Sequence, residues 1–150
     1  MRKIKFRGKR LYNGEWVFGF VAKIDMYRYG KEYEETVIVR QLKYGDRDYY
    51  CNESIDGNIV NPDTVGQYIG LKDRDGVEIY EGDIVAFLGI WWDGSDGDRV
   101  DYVGIVRYSD EHTSFNFEIS KGLLATTFDA EDVKVIGNIH DNSEMMEMKR

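Results

Sequence analysis

The sequence belongs to the mainly β class, and three observations place it there. It holds a single proline, sixteen glycines and twenty-one aromatic residues, of which eleven are tyrosine, and aromatic side chains suit a pleated surface better than a helix. Apolar residues recur at every second position in several short runs, the period of a half-buried strand. Turn dipeptides, Asn13-Gly14 and Asp75-Gly76, stand between such runs, where tight hairpins need them. Little helix is expected, and 150 residues allow one sizeable core or two small ones.

Taken in order, Ile4 and Phe6 alternate with Lys3, Lys5 and Arg7, the pattern of a strand with one charged face. A turn at Asn13-Gly14 leads to a second strand with Trp16, Phe18 and Phe20 on one face and Val17, Gly19 and Val21 on the other. Tyr27 to Glu35 is polar and carries the Gly30 turn, Thr36 to Arg40 is β-branched, and Asp46 to Asn52 reads as a further edge strand. Asn58 to Asp63, with Pro62, is the linker, which makes residues 1–63 an N-terminal β-rich subdomain. Beyond it, Thr64 to Ile69 and Val77 to Tyr80 flank the Asp73-Arg74-Asp75-Gly76 turn. Gly82 then reverses the chain into Ile84 to Leu88, and Val100 to Tyr108, Ser114 to Ile119 and Val133 to Ile139 follow. About five strands closing on themselves suit a small SH3-like barrel over residues 64–142. Thr126 to Asp132 has room for one helical turn, and residues 143–150 form a methionine-bearing tail that begins after Asn142, a fair N-cap.

Gln67-Tyr68-Ile69-Gly70-Leu71-Lys72-Asp73, followed by Glu78-Ile79-Tyr80-Glu81-Gly82-Asp83-Ile84-Val85, resembles the signature of the YopX family of small bacteriophage and prophage proteins. The likeness extends to Ile4-Lys5-Phe6-Arg7-Gly8-Lys9 and Gly14-Glu15-Trp16-Val17 near the start, and to Val135-Ile136-Gly137-Asn138-Ile139-His140-Asp141-Asn142 near the end. Ile69 stands where threonine is usual, and His140-Asp141 where an aromatic and a glutamate are commoner. The resemblance implies a mostly β protein whose second half is an SH3-type barrel, and it implies no biochemical activity.

Charge is unevenly spread. Residues 1–10 carry six basic side chains and no acid, which leaves fourteen basic against twenty-eight acidic residues in the remainder. An acidic body repels phosphates, so nucleic acid is a disfavoured partner, and the basic strand reads as a solvated face or one lying against acidic neighbours. Cys51 is the single cysteine, which excludes an intramolecular disulfide. The start Met1-Arg2-Lys3-Ile4-Lys5 has no apolar secretion core, and the uncharged stretch Ala86 to Trp92 is far too short to span a bilayer. The expected location is the cytoplasm of a bacterial host, with no membrane partner.

Few residues offer chemistry. Asp93, Asp96, Asp98 and Asp101 cluster in a glycine-rich loop, but their spacing is not that of an EF-hand, and a solvated loop is the expectation. Trp91 and Trp92 are adjacent, so on a strand they point to opposite faces and one is left as a contact, to which Tyr102 can add. Ser109-Asp110-Glu111-His112 holds triad residue types within one turn, where neighbouring side chains usually point apart. His112, His140 and Cys51 lack zinc-site spacing. No catalytic, metal or cofactor-binding residue is assigned, and no cofactor is expected. The expected function is that of a noncatalytic phage or prophage accessory protein that binds another protein or associates with itself as a homo-oligomer. The alternative is nucleic-acid binding through the basic N-terminal strand and the barrel, and an enzyme using Asp83 or Asp98 stands third.

Overall fold

The alternation at the N-terminus becomes an antiparallel sheet in the computed structural model, which describes residues 3–39, 58–91, 98–120, 123–126 and 131–145. The chain divides into two compact units, Met1–Tyr68 and Ile69–Arg150, and the division falls beyond the linker read from the sequence. Both units are built from antiparallel strands, as the mainly β reading requires.

In the first unit β1 (Phe6–Lys9), β2 (Trp16–Arg28) and β3 (Lys31–Val39) are joined by the start of β4 (Gly66–Lys72), in the order β3-β2-β1-β4. The β1–β2 turn uses Gly14 at φ 71, and the Asn13 side-chain oxygen accepts the Glu15 N–H at 3.0 Å. Val17, Ile38 and Val60 form the core, with Phe6, Val21 and Val65 packed on it. Two expectations change here. The polar stretch Tyr27 to Glu35 is mostly strand, because β2 and β3 continue as a ribbon paired from Phe20↔Val39 to Arg28↔Lys31. Its exposed side chains leave hydrophobic periodicity nothing to mark. Only Tyr29 and Gly30, at φ 52 and 76, make the turn, the positive-φ pair that two-residue hairpins use.

The second change concerns Asn58 to Asp63, which is stitched into the sheet. Val60 bridges Arg10 and Ile59 bridges Val37, while the Val60 N–H donates to Thr36 at 2.9 Å and the Ile38 N–H to Asn58 at 3.0 Å. Val60 is 1% exposed, so an apolar pair inside a polar segment is what holds it in place. Pro62–Thr64 is a 3-10 turn capped by Asn61, whose side chain accepts the Asp63 N–H.

The second unit holds the rest of β4, then β5 (Glu78–Tyr80), β6 (Asp83–Trp91), β7 (Asp98–Ser109), β8 (Ser114–Ser120), β9 (Leu123–Thr126) and β10 (Glu131–Asn138). β4 pairs with β5, and the other five form a sheet in the order β10-β6-β7-β8-β9. Its core is Ile69, Ile79, Val85, Phe87, Val106, Phe115 and Phe117. The expected SH3-like closure is not present among the described residues. The sheet is open, with β10 and β9 at its two ends. β9 is only four residues long, and β10 follows β6 with register shifts at Glu131/Lys134 and Val135/Gly137, irregularities that turn an edge away from regular pairing.

The helical turn expected at Thr126 to Asp132 is not seen in its described part, since Thr126 ends β9 and Glu131 opens β10. In the tail, Ser143 to Met145 makes one 3-10 turn, and the Met145 N–H donates to the Asn142 carbonyl at 3.0 Å. Asp46 to Asn52, Cys51, Trp92, most of the 93–101 loop and residues 146–150 lie outside the described residues. No helix among the described residues is long and apolar enough to cross a membrane.

Candidate functional site

The two faces read from the alternation of β2 are present, and it is the aromatic one that turns outward. Val17 is fully buried and Gly19 is buried beside it, whereas Phe18 and Phe20 on the other face are 42% and 60% exposed. The reason lies in the inner face, where β1 comes close to the 58–60 segment. A Cβ placed on Gly8 would stand 3.0–3.2 Å from the Val60 side chain, a tight approach that would require Val60 to shift. An interior that tight admits valine and glycine but no row of rings, and a one-residue slip of register would exchange the two sets.

The same alternation puts Lys5, Arg7 and Lys9 on the face of those rings, Lys5 and Lys9 half-buried and Arg7 buried at 8% exposure. Lys9 lies opposite Trp16 and Arg7 opposite Phe18 in the ladder. The Arg7 guanidinium carbon is 4.6 Å from the centre of the Trp16 ring, the Lys9 ammonium 5.4 Å from the same ring, and the Lys5 ammonium 5.5 Å from Phe18. On this strand the charges alternate with aromatic faces. The outcome is a surface with stacking area, positive charge and two exposed phenyl rings.

In the second unit the family-like turn is organised around Asp73, which is 7% exposed. Its Oδ1 accepts the backbone N–H groups of Asp75 and Val77 at 2.9 and 2.8 Å, and its Oδ2 accepts that of Val135 at 3.0 Å. Burial alone would raise its pKa. The three backbone donors and the charge of Lys134 outweigh burial and leave the carboxyl below its usual value. Asp75 pairs with Lys134 at 3.3 Å and Arg74 with Asp132 at 2.7 Å. Beside this turn is a cleft of about 290 Å³ with Ile79 and Phe117 among its lining and Lys72, Arg74 and Asp132 at its polar side. Asp132 holds a left-handed backbone, φ 53, within the β10 irregularity. The cleft's charged pair is matched to itself, an arrangement that orders a turn.

Ser109 and His112 do meet, contrary to the expectation that they point apart. Ser109 Oγ is 3.0 Å from His112 Nδ1 and accepts the His112 N–H at 3.2 Å. The pair closes an exposed turn between β7 and β8, and neighbouring Asp110 and Glu111 are exposed. Asp83, 1% exposed, accepts the Tyr80 N–H at 2.7 Å and fastens the Gly82 reversal. Among the described residues no group of three or more His, Cys, Asp or Glu side chains is placed to hold a metal ion.

Of the contact residues read from the sequence, Trp91 ends β6 opposite Asp98, and Trp92 lies outside the described residues. Tyr102 stands opposite Phe87 and stacks on it at 5.7 Å, partly buried against the core. Asp73, the first residue of the Asp73-Arg74-Asp75-Gly76 turn read from the sequence, takes the role that aspartate at that position favours. The outward set of Phe18 and Phe20 has a weaker signal, the glycines at 8 and 19 on the opposite face.

The family model described as "YopX protein" matches residues 5–147. A solved structure, that of protein EF1440 from Enterococcus faecalis, is similar at 21% identity over 97% of this chain and 99% of that one, with a TM-score of 0.48. No curated protein matches.

Proposed function

The chain belongs to the YopX family, and from that premise we propose that it is a noncatalytic accessory module of phage or prophage origin that works by binding, with the outer face of β1 and β2 as its contact surface. The observation that carries this reading is the exposure of Phe18 and Phe20, 42% and 60%, on the same face as Lys5, Arg7, Lys9 and Trp16. Aromatic residues are among the types enriched where proteins meet partners. The absence of catalysis is supported by the use of the buried acids Asp73 and Asp83, which accept backbone N–H groups and fasten turns.

The test is retention by immobilised protein of material from a bacterial lysate, with and without nuclease, for the wild type and for Phe18→Ser/Phe20→Ser. Wild-type protein should retain material, or a second copy of itself, that the folded double variant does not. Equal retention by the two proteins would remove the face from consideration.

A further inference from the structure

We infer that the cleft beside the Asp73 turn is a binding site for a small organic anion, a carboxylate carried on one aromatic ring, separate from the β1–β2 face proposed above. The buried side chains of Ile79 and Phe117 make its floor, and Leu71 and Val133 its apolar walls. Val133 reaches the cleft because β10 leaves its ladder between Glu131 and Lys134. Asp132, inside that bulge, takes a left-handed φ of 53, a conformation that persists only where the surroundings hold it. Arg74 holds it here: its backbone N–H donates to the Val133 carbonyl at 2.9 Å and its Nη1 to Asp132 at 2.7 Å. Both sides of the cleft are therefore fixed in advance, the condition in which binding loses least to ordering. Bulges and held backbone conformations concentrate where a side chain has to be aimed at a site.

The charges around the cleft select the ligand. Asp73 accepts three backbone N–H groups, Asp75 is paired with Lys134, and Asp132 with Arg74. Lys72 also lines the cleft and is exposed, and among the described residues it has no ion pair. Arg74 reaches Asp132 through Nη1, and its other guanidinium N–H groups can serve a second acceptor. An anionic group set between Lys72 and Arg74, with its apolar body against Leu71 and Val133, satisfies both the charge and the walls. The volume of about 290 Å³ stands at the lower end of small-molecule sites, roughly 300–1,000 Å³. That size suits one ring with a short acidic substituent and excludes an extended peptide.

The experiment titrates the intact, isotope-labelled chain with phenylacetate and follows its amide NMR shifts, with acetate and 2-phenylethanol as probes that each lack one half of the ligand. Phenylacetate should bind with a Kd of about a millimolar, the strength open to about ten heavy atoms, and should move the amides of residues 71–74, 132 and 133. Acetate and 2-phenylethanol should each bind about fivefold more weakly or worse. Lys72→Glu and Leu71→Ser change exposed positions and should each weaken binding about fivefold or more. Lys31→Glu, the same change of charge on β3, should leave binding unaltered.

No saturable shift at tens of millimolar phenylacetate overturns the inference. So does equal binding of 2-phenylethanol, or an equal loss from Lys31→Glu and Lys72→Glu in variants that keep the wild-type melting temperature. The cleft is built wholly from the second unit, so Phe18→Ser/Phe20→Ser should bind phenylacetate as the wild type does, and the cleft and the β1–β2 face stand or fall separately.

Discussion

Replacing Asp73 with asparagine changes the shape of the side chain hardly at all and removes its charge. In the native turn the carboxylate receives three backbone N–H groups at 2.8–3.0 Å. Asparagine has one acceptor oxygen. Turned toward Asp75 and Val77, it keeps those two bonds in a weaker, neutral form, and its amide N–H₂ then faces the Val135 N–H, donor against donor. A buried donor left without a partner costs about 1–3 kcal/mol, and a hydrogen bond to a charged acceptor is worth about 1.5–3 kcal/mol against about 1 for a neutral one. The expected loss for Asp73→Asn is about 3 kcal/mol, which for a chain of this size lowers Tm by roughly 6–12 °C.

The pH dependence separates charge from shape. The folded pKa of Asp73 lies below its ordinary value, so the ionised carboxylate stabilises the fold fully above the unfolded pKa, about 3.9. That contribution disappears as pH falls through the folded value. Urea unfolding of both proteins should give a gap that is constant from pH 7 down to about 5 and narrows below about 4. A gap under about 0.5 kcal/mol at pH 7, within the range of an ordinary surface change, would refute the account. So would a gap of equal size at pH 7 and pH 3.

Two further substitutions test the second unit. Phe117→Ala empties a fully buried position in its main cluster and should cost about 3–5 kcal/mol in urea unfolding; a loss below about 1 kcal/mol would show that the site collapses around the gap. Gly89→Ala places a Cβ 2.8 Å from two atoms of the Tyr102 ring. It should therefore disturb the Phe87–Tyr102 stack, lower the near-ultraviolet tyrosine dichroism and destabilise by about 1–3 kcal/mol.

How far the residues disclose the fold depends on which physical signal each stretch carries. Val17, Gly19 and Val21 against Trp16, Phe18 and Phe20 have a strict period of two, and the strand and its faces follow from that. Which face turns inward does not follow, because it is decided by the approach of Gly8 to Val60, residues far apart in the chain. The ribbon at Tyr27 to Glu35 is hidden for the opposite reason: its side chains are largely exposed, so no apolar period marks it. Barrel closure is a property of strand order, and the order β10-β6-β7-β8-β9 is set by tertiary pairing that turn residues do not encode. In the site, the basic composition of the N-terminus is legible, but its contacts with Trp16 and Phe18 are not. Cation–aromatic contact leaves no mark in a charge count.

The outward rings carry an energetic implication for the first unit. A phenylalanine buries about 200 Å² when fully enclosed, at about 25 cal/mol per Å². With Phe20 60% and Phe18 42% exposed, the two rings leave roughly 5 kcal/mol of burial unused, an upper value that is nonetheless of the order of a small domain's whole stability. Among the described residues, the core of this unit holds Val17, Ile38 and Val60, with Phe6 the one aromatic packed against it. A sheet selected for stability alone would set its largest apolar side chains inward and open the Gly8–Val60 contact to receive them. This one keeps small residues inside and turns Phe18 and Phe20 outward. The stabilisation withheld from folding is thus available for binding through Phe18 and Phe20.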